Sequence, residues 1–152
     1  MAIAGWPSVR PPAGFAEVWH REPTGLADLP GVRTLIRTFM AAGHAHVPPS
    51  SDWVEQFVLV IDEITSNALR HGANPVHLGL GTDRASWLVT LTDHAPGAPP
   101  VPAIDRAPGA GGYGLYMIAH LTSDHGWHSK DNHMTVWALL TLGSNGDRGT
   151  TR

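Results

Sequence analysis

The chain contains no cysteine, which excludes disulfides and thiolate metal centres and leaves the redox compartment open. It has no long apolar block, so a membrane-spanning helix is not expected. The opening MAIAGWPSVRPPAG places proline and arginine where a signal peptide needs apolar residues, so a cytoplasmic chain without membrane association is expected. Runs of one charge sign are also missing. Ten Lys and Arg are scattered against thirteen Asp and Glu, for a net charge of −3. Without the basic stripe that a nucleic-acid backbone demands, direct nucleic-acid binding is not expected. What remains is 152 residues, enough for one domain whose core needs no covalent staple. The 17 glycines and 13 prolines concentrate at 95 to 114, which reads as one long irregular loop in an otherwise patterned chain.

Residues 1–14 read as a flexible N-terminal segment, 15–142 as the folded domain and 143–152 as a disordered tail. Phe15 to His20 reads as a short edge strand. Asp28 is placed to cap a helix with Pro30 in its first turn, and Val32, Leu35, Ile36, Phe39 and Met40 follow helical spacing up to Gly43. After a connector with Pro48 and Pro49, Ser51 or Asp52 starts a second helix that Gly72 stops. Val76 to Leu80 and Ser86 to Thr92 read as strands joined by a loop at 81–85. A third helix is expected from Gly114 to Leu121, followed by strands Asp124 to Ser129 and Met134 to Leu142. This order contains no repeated βαβ unit, so helices layered on one face of a mainly antiparallel sheet are expected, an α+β fold.

Within the second helix, EITSNALRH puts Glu63, Asn67 and His71 at steps of four, hence on one face, while Phe57, Val60, Ile61, Ile64 and Ala68 occupy the others. Such a stripe fits a solvated face or the wall of a polar site. Asp93 stands where strand becomes loop, as a turn aspartate or as an acceptor for an exocyclic amine. Gly109, Gly111 and Gly114 formally spell GxGxxG, but the residues before them are proline-rich loop rather than a strand, which argues against a dinucleotide fold. The physical content that survives is backbone N–H groups at Gly112 and Gly114 opening a helix, suited either to a phosphate or to a simple hinge. His120, His125, His128 and His133 show no recognised ligand spacing, so a histidine metal site is not expected among them.

The order of E-x-x-x-N-x-x-x-H on a helix, D-x-x-x-G after a strand and GGYGL opening a helix resembles the GHKL (histidine kinase-like) ATPase superfamily, with its N, G1 and G2 boxes. EITSNALRHG, GGYGLYMIAHLTSD and MTVWALL are most similar to the anti-sigma-factor serine/threonine kinases and their small actinobacterial relatives. The resemblance spans residues 24 to 142 and implies a two-layer α/β sandwich of the Bergerat type with an ATP lid loop. It further implies ATP and Mg²⁺ as cofactors, with Asn67 as the metal ligand, Asp93 reading adenine and Glu63 as the catalytic general base. Gly112, Gly114 and the amides after them would cradle phosphates, and Gly97, Gly111 and Leu115 join the nucleotide-binding set. Arg70 and His71 would lie near the phosphate end, and Thr135 would support adenine through a water.

The implied activity is phosphorylation of a serine or threonine on an anti-sigma-factor antagonist of the STAS type. A sigma factor and a second copy of the chain are further implied partners. Two alternatives stay open: a catalytically weak nucleotide-sensing or protein-binding module of the same fold, and the catalytic half of a histidine kinase acting in trans. The first alternative is motivated by the G1 box, where Ala95 replaces the family's first glycine and Pro96 follows.

Overall fold

The computed structural model describes residues 6–43, 49–95, 115 and 118–142. Five strands form one antiparallel sheet in the order β1-β2-β3-β5-β4: β1 Ala16–Arg21, β2 His77–Thr82, β3 Ser86–Asp93, β4 Asp124–Lys130 and β5 His133–Thr141. Helices α1 (Leu29–Ala41) and α2 (Ser51–His71) cover one face, which gives the α+β layering expected from the element order. Alternation along the strands decides what they cover. Leu78 and Leu80 of β2, Trp87, Val89 and Leu91 of β3, and Val136, Ala138 and Leu140 of β5 share the helix-facing side, all buried. Against them α1 sets Val32, Ile36 and Met40, and α2 sets Trp53, Phe57, Ile61 and Ile64. Leu35, counted with the apolar stripe of α1, instead stands 42% exposed. Arg33 with Asp62 (2.6 Å) and the forked pair of Arg37 with Glu55 (both bonds 2.9 Å) tie the two helices together at their solvent edge.

Several element ends differ from the expected ones for local reasons. Asp28 does not cap α1, because a 3₁₀ turn over Leu26–Asp28 already gives it helical backbone angles. Its carboxylate turns back to accept from Thr24 N, Thr24 Oγ1 and Gly25 N, and these bonds hold its pKa below the usual aspartate value. The cap of α2 is Ser50, whose Oγ accepts from Trp53 N at 3.1 Å, rather than Ser51 or Asp52. The β2–β3 loop shortens to 83–85, since Gly81 and Thr82 still pair with Leu88 and Trp87. Asp83 Oδ1 accepts from Ala85 N and Ser86 N, which leaves Arg84 at φ 79°. Of the third helix, Leu115 and Ile118 are buried in the core, and Ala119 N donates to Leu115 O.

The N-terminal residues show the largest departure. Residues 6–9 fall within the segment expected to be loose, yet Ser8 bridges Trp127 in parallel, with Val9 N donating to Trp127 O and Trp127 N to Pro7 O. Trp6 is 1% exposed in the main core, and its Nε1 donates to Leu115 O at 3.3 Å. On the outer sheet face Trp137 Nε1 donates to Val9 O at 2.8 Å. A Cβ at Gly126 would lie 2.8 Å from Val9 and 2.9 Å from Trp137, so this glycine is what lets the segment lie flat on β4.

Candidate functional site

The 21 residues of α2 carry the polar stripe from inside the fold to its surface. Glu63 and Asn67 are half-buried, whereas Arg70 and His71 are exposed at the C-terminal turn. The Glu63 carboxyl is held above its ordinary pKa, first by desolvation and then by the neighbouring Asp62 charge, with Arg70 acting in the opposite sense. A carboxyl in that state is a better proton acceptor than a solvated one once ionised.

Asp93 ends β3 and is 3% exposed. Burial raises its pKa, partly opposed by N–H bonds from Ala95 and Ala73 and by the nearby His94. The bond from Ala95 N to Oδ1 is 2.7 Å, so the turn role foreseen for this aspartate is present. It does not exhaust the carboxylate, which has about four lone-pair sites. The same side chain seats against the end of α2, where His94 N donates to Ala73 O at 3.0 Å. The first two boxes of the sequence thus meet in space, and Glu63 lies nine residues back from Gly72, about 13 Å along the helix axis.

In the sequence Gly72 marks only a helix stop. The structure gives it a second task, because a Cβ there would fall 2.5 Å from Asp93 Oδ2 and 2.8 Å from Ala68 O. Its φ of −92° is ordinary, so closeness rather than backbone freedom demands glycine. No local sequence signal distinguishes that use from a plain helix end. Ala95 does not adopt a positive φ: among the described residues, the non-glycine positions with positive φ are Arg84 and Asp131.

Thr135 pairs with Thr92, next to Asp93, and the two hydroxyls lie 2.9 Å apart. Beside them the His94 and His133 rings approach to 4.4 Å, and His94 Nδ1 lies 3.0 Å from Pro75 O. That nitrogen must carry the proton, since a carbonyl only accepts. Leu115 is buried, with its carbonyl bonded to Trp6. Gly97, Gly111, Gly112 and Gly114, together with the expected lid, lie outside the described residues. Among the described residues no helix is long and apolar enough to cross a membrane.

The fold is similar to solved structures of low identity. The RsbU and RsbW domains of a Mycobacterium tuberculosis protein match at TM-score 0.58 and 17% identity, over 82% of this chain and 32% of that one. This chain therefore spans about a third of that structure's length. A blue-light activated histidine kinase domain from Erythrobacter litoralis matches at TM-score 0.52 and 17% identity, over 89% and 69% of the two chains. The Acinetobacter baumannii histidine kinase AdeS matches at 0.51 and 13%, over 85% and 70%. No curated protein matches the sequence. Residues 26–140, from the turn before α1 to the end of β5, match the histidine kinase-like ATPase domain family, and the chain belongs to that family.

Proposed function

We propose that this chain binds Mg·ATP along α2 and transfers the terminal phosphoryl group to a serine or threonine of a protein partner. The carrying observation is the half-buried Glu63, held above its ordinary pKa on the same helix face as Asn67, in a chain of the histidine kinase-like ATPase family. In this reading Asp93 accepts the exocyclic amine of adenine with the lone pairs that Ala95 and Ala73 leave over. The residues fit a nucleotide in their chemistry, with a buried acceptor ending β3 and a half-buried carboxamide on the helix whose last turn seats that acceptor. Asn67 offers Mg²⁺ a neutral oxygen, and the ion would neutralise charge between the phosphates. Glu63 would accept the hydroxyl proton of the partner's serine or threonine as that hydroxyl oxygen bonds to the γ-phosphorus and the bond from phosphorus to the departing ADP oxygen breaks. Arg70 and His71 lie at the exposed end of the same face; Gly112, Gly114 and the amides after them, Leu115 among them, would cradle the phosphates, with Gly97 and Gly111 completing the nucleotide-binding set.

The favoured partner is an anti-sigma-factor antagonist of the STAS type, with a sigma factor as a second partner and a homodimer as the assembly. Its support is the similarity to a structure containing an RsbW domain. Cytoplasmic action follows from such partners. The test is radiolabelled phosphotransfer from Mg·ATP to antagonist-type proteins by wild type and Glu63→Gln. Transfer that Glu63→Gln abolishes is expected, and transfer unaffected by Glu63→Gln refutes the assignment. ATP binding with no transfer to any partner would instead favour the nucleotide-sensing module.

A further inference from the structure

The outer sheet face, opposite the helices, carries a cluster that neither helix reaches. Glu17 and His20 of β1 meet His77 of β2, and one ligand atom from each lies within 4.8 Å of the other two. Three residues apart in a regular strand, Glu17 and His20 would point to opposite faces. The pairing prevents this: Glu17 is opposite Gly81 and Trp19 opposite Leu80, so Val18 is an extra bulged residue, 48% exposed. Trp19 still enters the core, while Glu17 and His20 both come to the outer face. His20 pairs with Gly79, and its ring stacks on that of His77 with centroids 5.2 Å apart. A Cβ on Gly79 would collide with the Glu17 carboxylate, so the glycine leaves the trough in which that carboxylate lies.

From this geometry we infer that Glu17, His20 and His77 form a surface site for a divalent transition-metal ion of the zinc class. Two imidazoles and one carboxylate are the donor set such an ion prefers, leaving a fourth position for water or a partner's side chain. Ligand atoms around tetrahedral zinc sit about 3.3 Å from one another. His77 Nε2 and Glu17 Oε1 already stand at 3.0 Å, and rotation of the exposed His20 brings in the third. Glu22 Oε2 lies 3.4 Å from His77 Nδ1, the place of the carboxylate that fixes a ligating imidazole with its other nitrogen toward the metal. His20 and His77 are far apart in sequence, and neither belongs to the histidines of residues 120–133.

The test is calorimetric titration of the full chain with ZnCl₂ at neutral pH in excess Mg²⁺, which prefers oxygen and should not compete. Wild type is expected to bind one equivalent. His20→Ala and His77→Ala, with unchanged circular dichroism, should each weaken binding at least roughly tenfold, and Glu22→Gln by about tenfold through the second nitrogen. Gly79→Ala should also weaken it, although it removes no ligand, whereas His133→Ala should leave it intact. Absence of saturable binding by wild type, displacement by Mg²⁺, or equal binding by His20→Ala and His77→Ala would overturn the site.

Discussion

Replacing Asp93 by asparagine isolates what its charge does, because the two side chains have the same shape. Asp93 is 3% exposed and accepts from Ala95 N at 2.7 Å and from Ala73 N. The carboxamide oxygen can keep one of these bonds, but the NH₂ group facing the other N–H cannot accept, which costs about 1–3 kcal/mol. Relief of the desolvation that raises the Asp93 pKa offsets part of that cost, so the variant should fold. For the nucleotide the loss is larger in effect. A hydrogen bond from adenine's amine to a carboxylate contributes roughly 1.5–3 kcal/mol, equivalent to about a 10–150-fold change in Kd. Calorimetry with ATP and with inosine triphosphate, which carries a carbonyl in place of that amine, separates the base contact from the phosphates. Wild type should prefer ATP, and Asp93→Asn should bind ATP more weakly and lose the preference, since its NH₂ can donate to the carbonyl. A folded Asp93→Asn protein that binds ATP as wild type does, or a wild type indifferent to the base, would refute the reasoning.

Glu63 has a raised pKa in the fold, so its protonated form is favoured there relative to the unfolded chain. Its contribution is present below the ordinary glutamate value of about 4.3 and is lost as pH rises through the raised folded value. In urea melts, Glu63→Gln should therefore gain stability relative to wild type as pH climbs through that window, and a pH-independent difference would contradict the burial argument. Gly72→Ala should push the Asp93 carboxylate from its seat and weaken ATP binding although it touches no nucleotide in the proposed site, as calorimetry would register. Trp6→Ala should cost about 3–5 kcal/mol in urea denaturation, as expected for a fully buried indole. An unchanged midpoint would mean that the N-terminal segment is not part of the folded unit.

Periodicity carried the sequence reading a long way because it is a local property. Val32, Ile36 and Met40 share a helix face whatever lies around them, and the alternation in Ser86–Asp93 produces a two-sided strand before any partner is known. The same logic placed Glu63 and Asn67 on one face and Asp93 at a strand end, and the three ordered boxes marked the family. Contacts between distant segments carry no such local signature. Trp6 sits in a proline- and glycine-rich stretch, yet it is buried because Leu115 and His125, more than a hundred residues away in the chain, come to lie against it. Gly72 looks like any helix stop until Asp93 arrives beside it, and Glu17 and His20 share a face only because β2 pairs across a bulge. The sequence by itself determined the elements and most of their faces, since these follow from repeats of two and of 3.6 residues, and its three ordered boxes carried the resemblance to the family. Only tertiary structure decided how deeply Glu63 and Asp93 are desolvated, what seats Asp93 and which histidines meet, because burial and proximity depend on atoms that other segments bring.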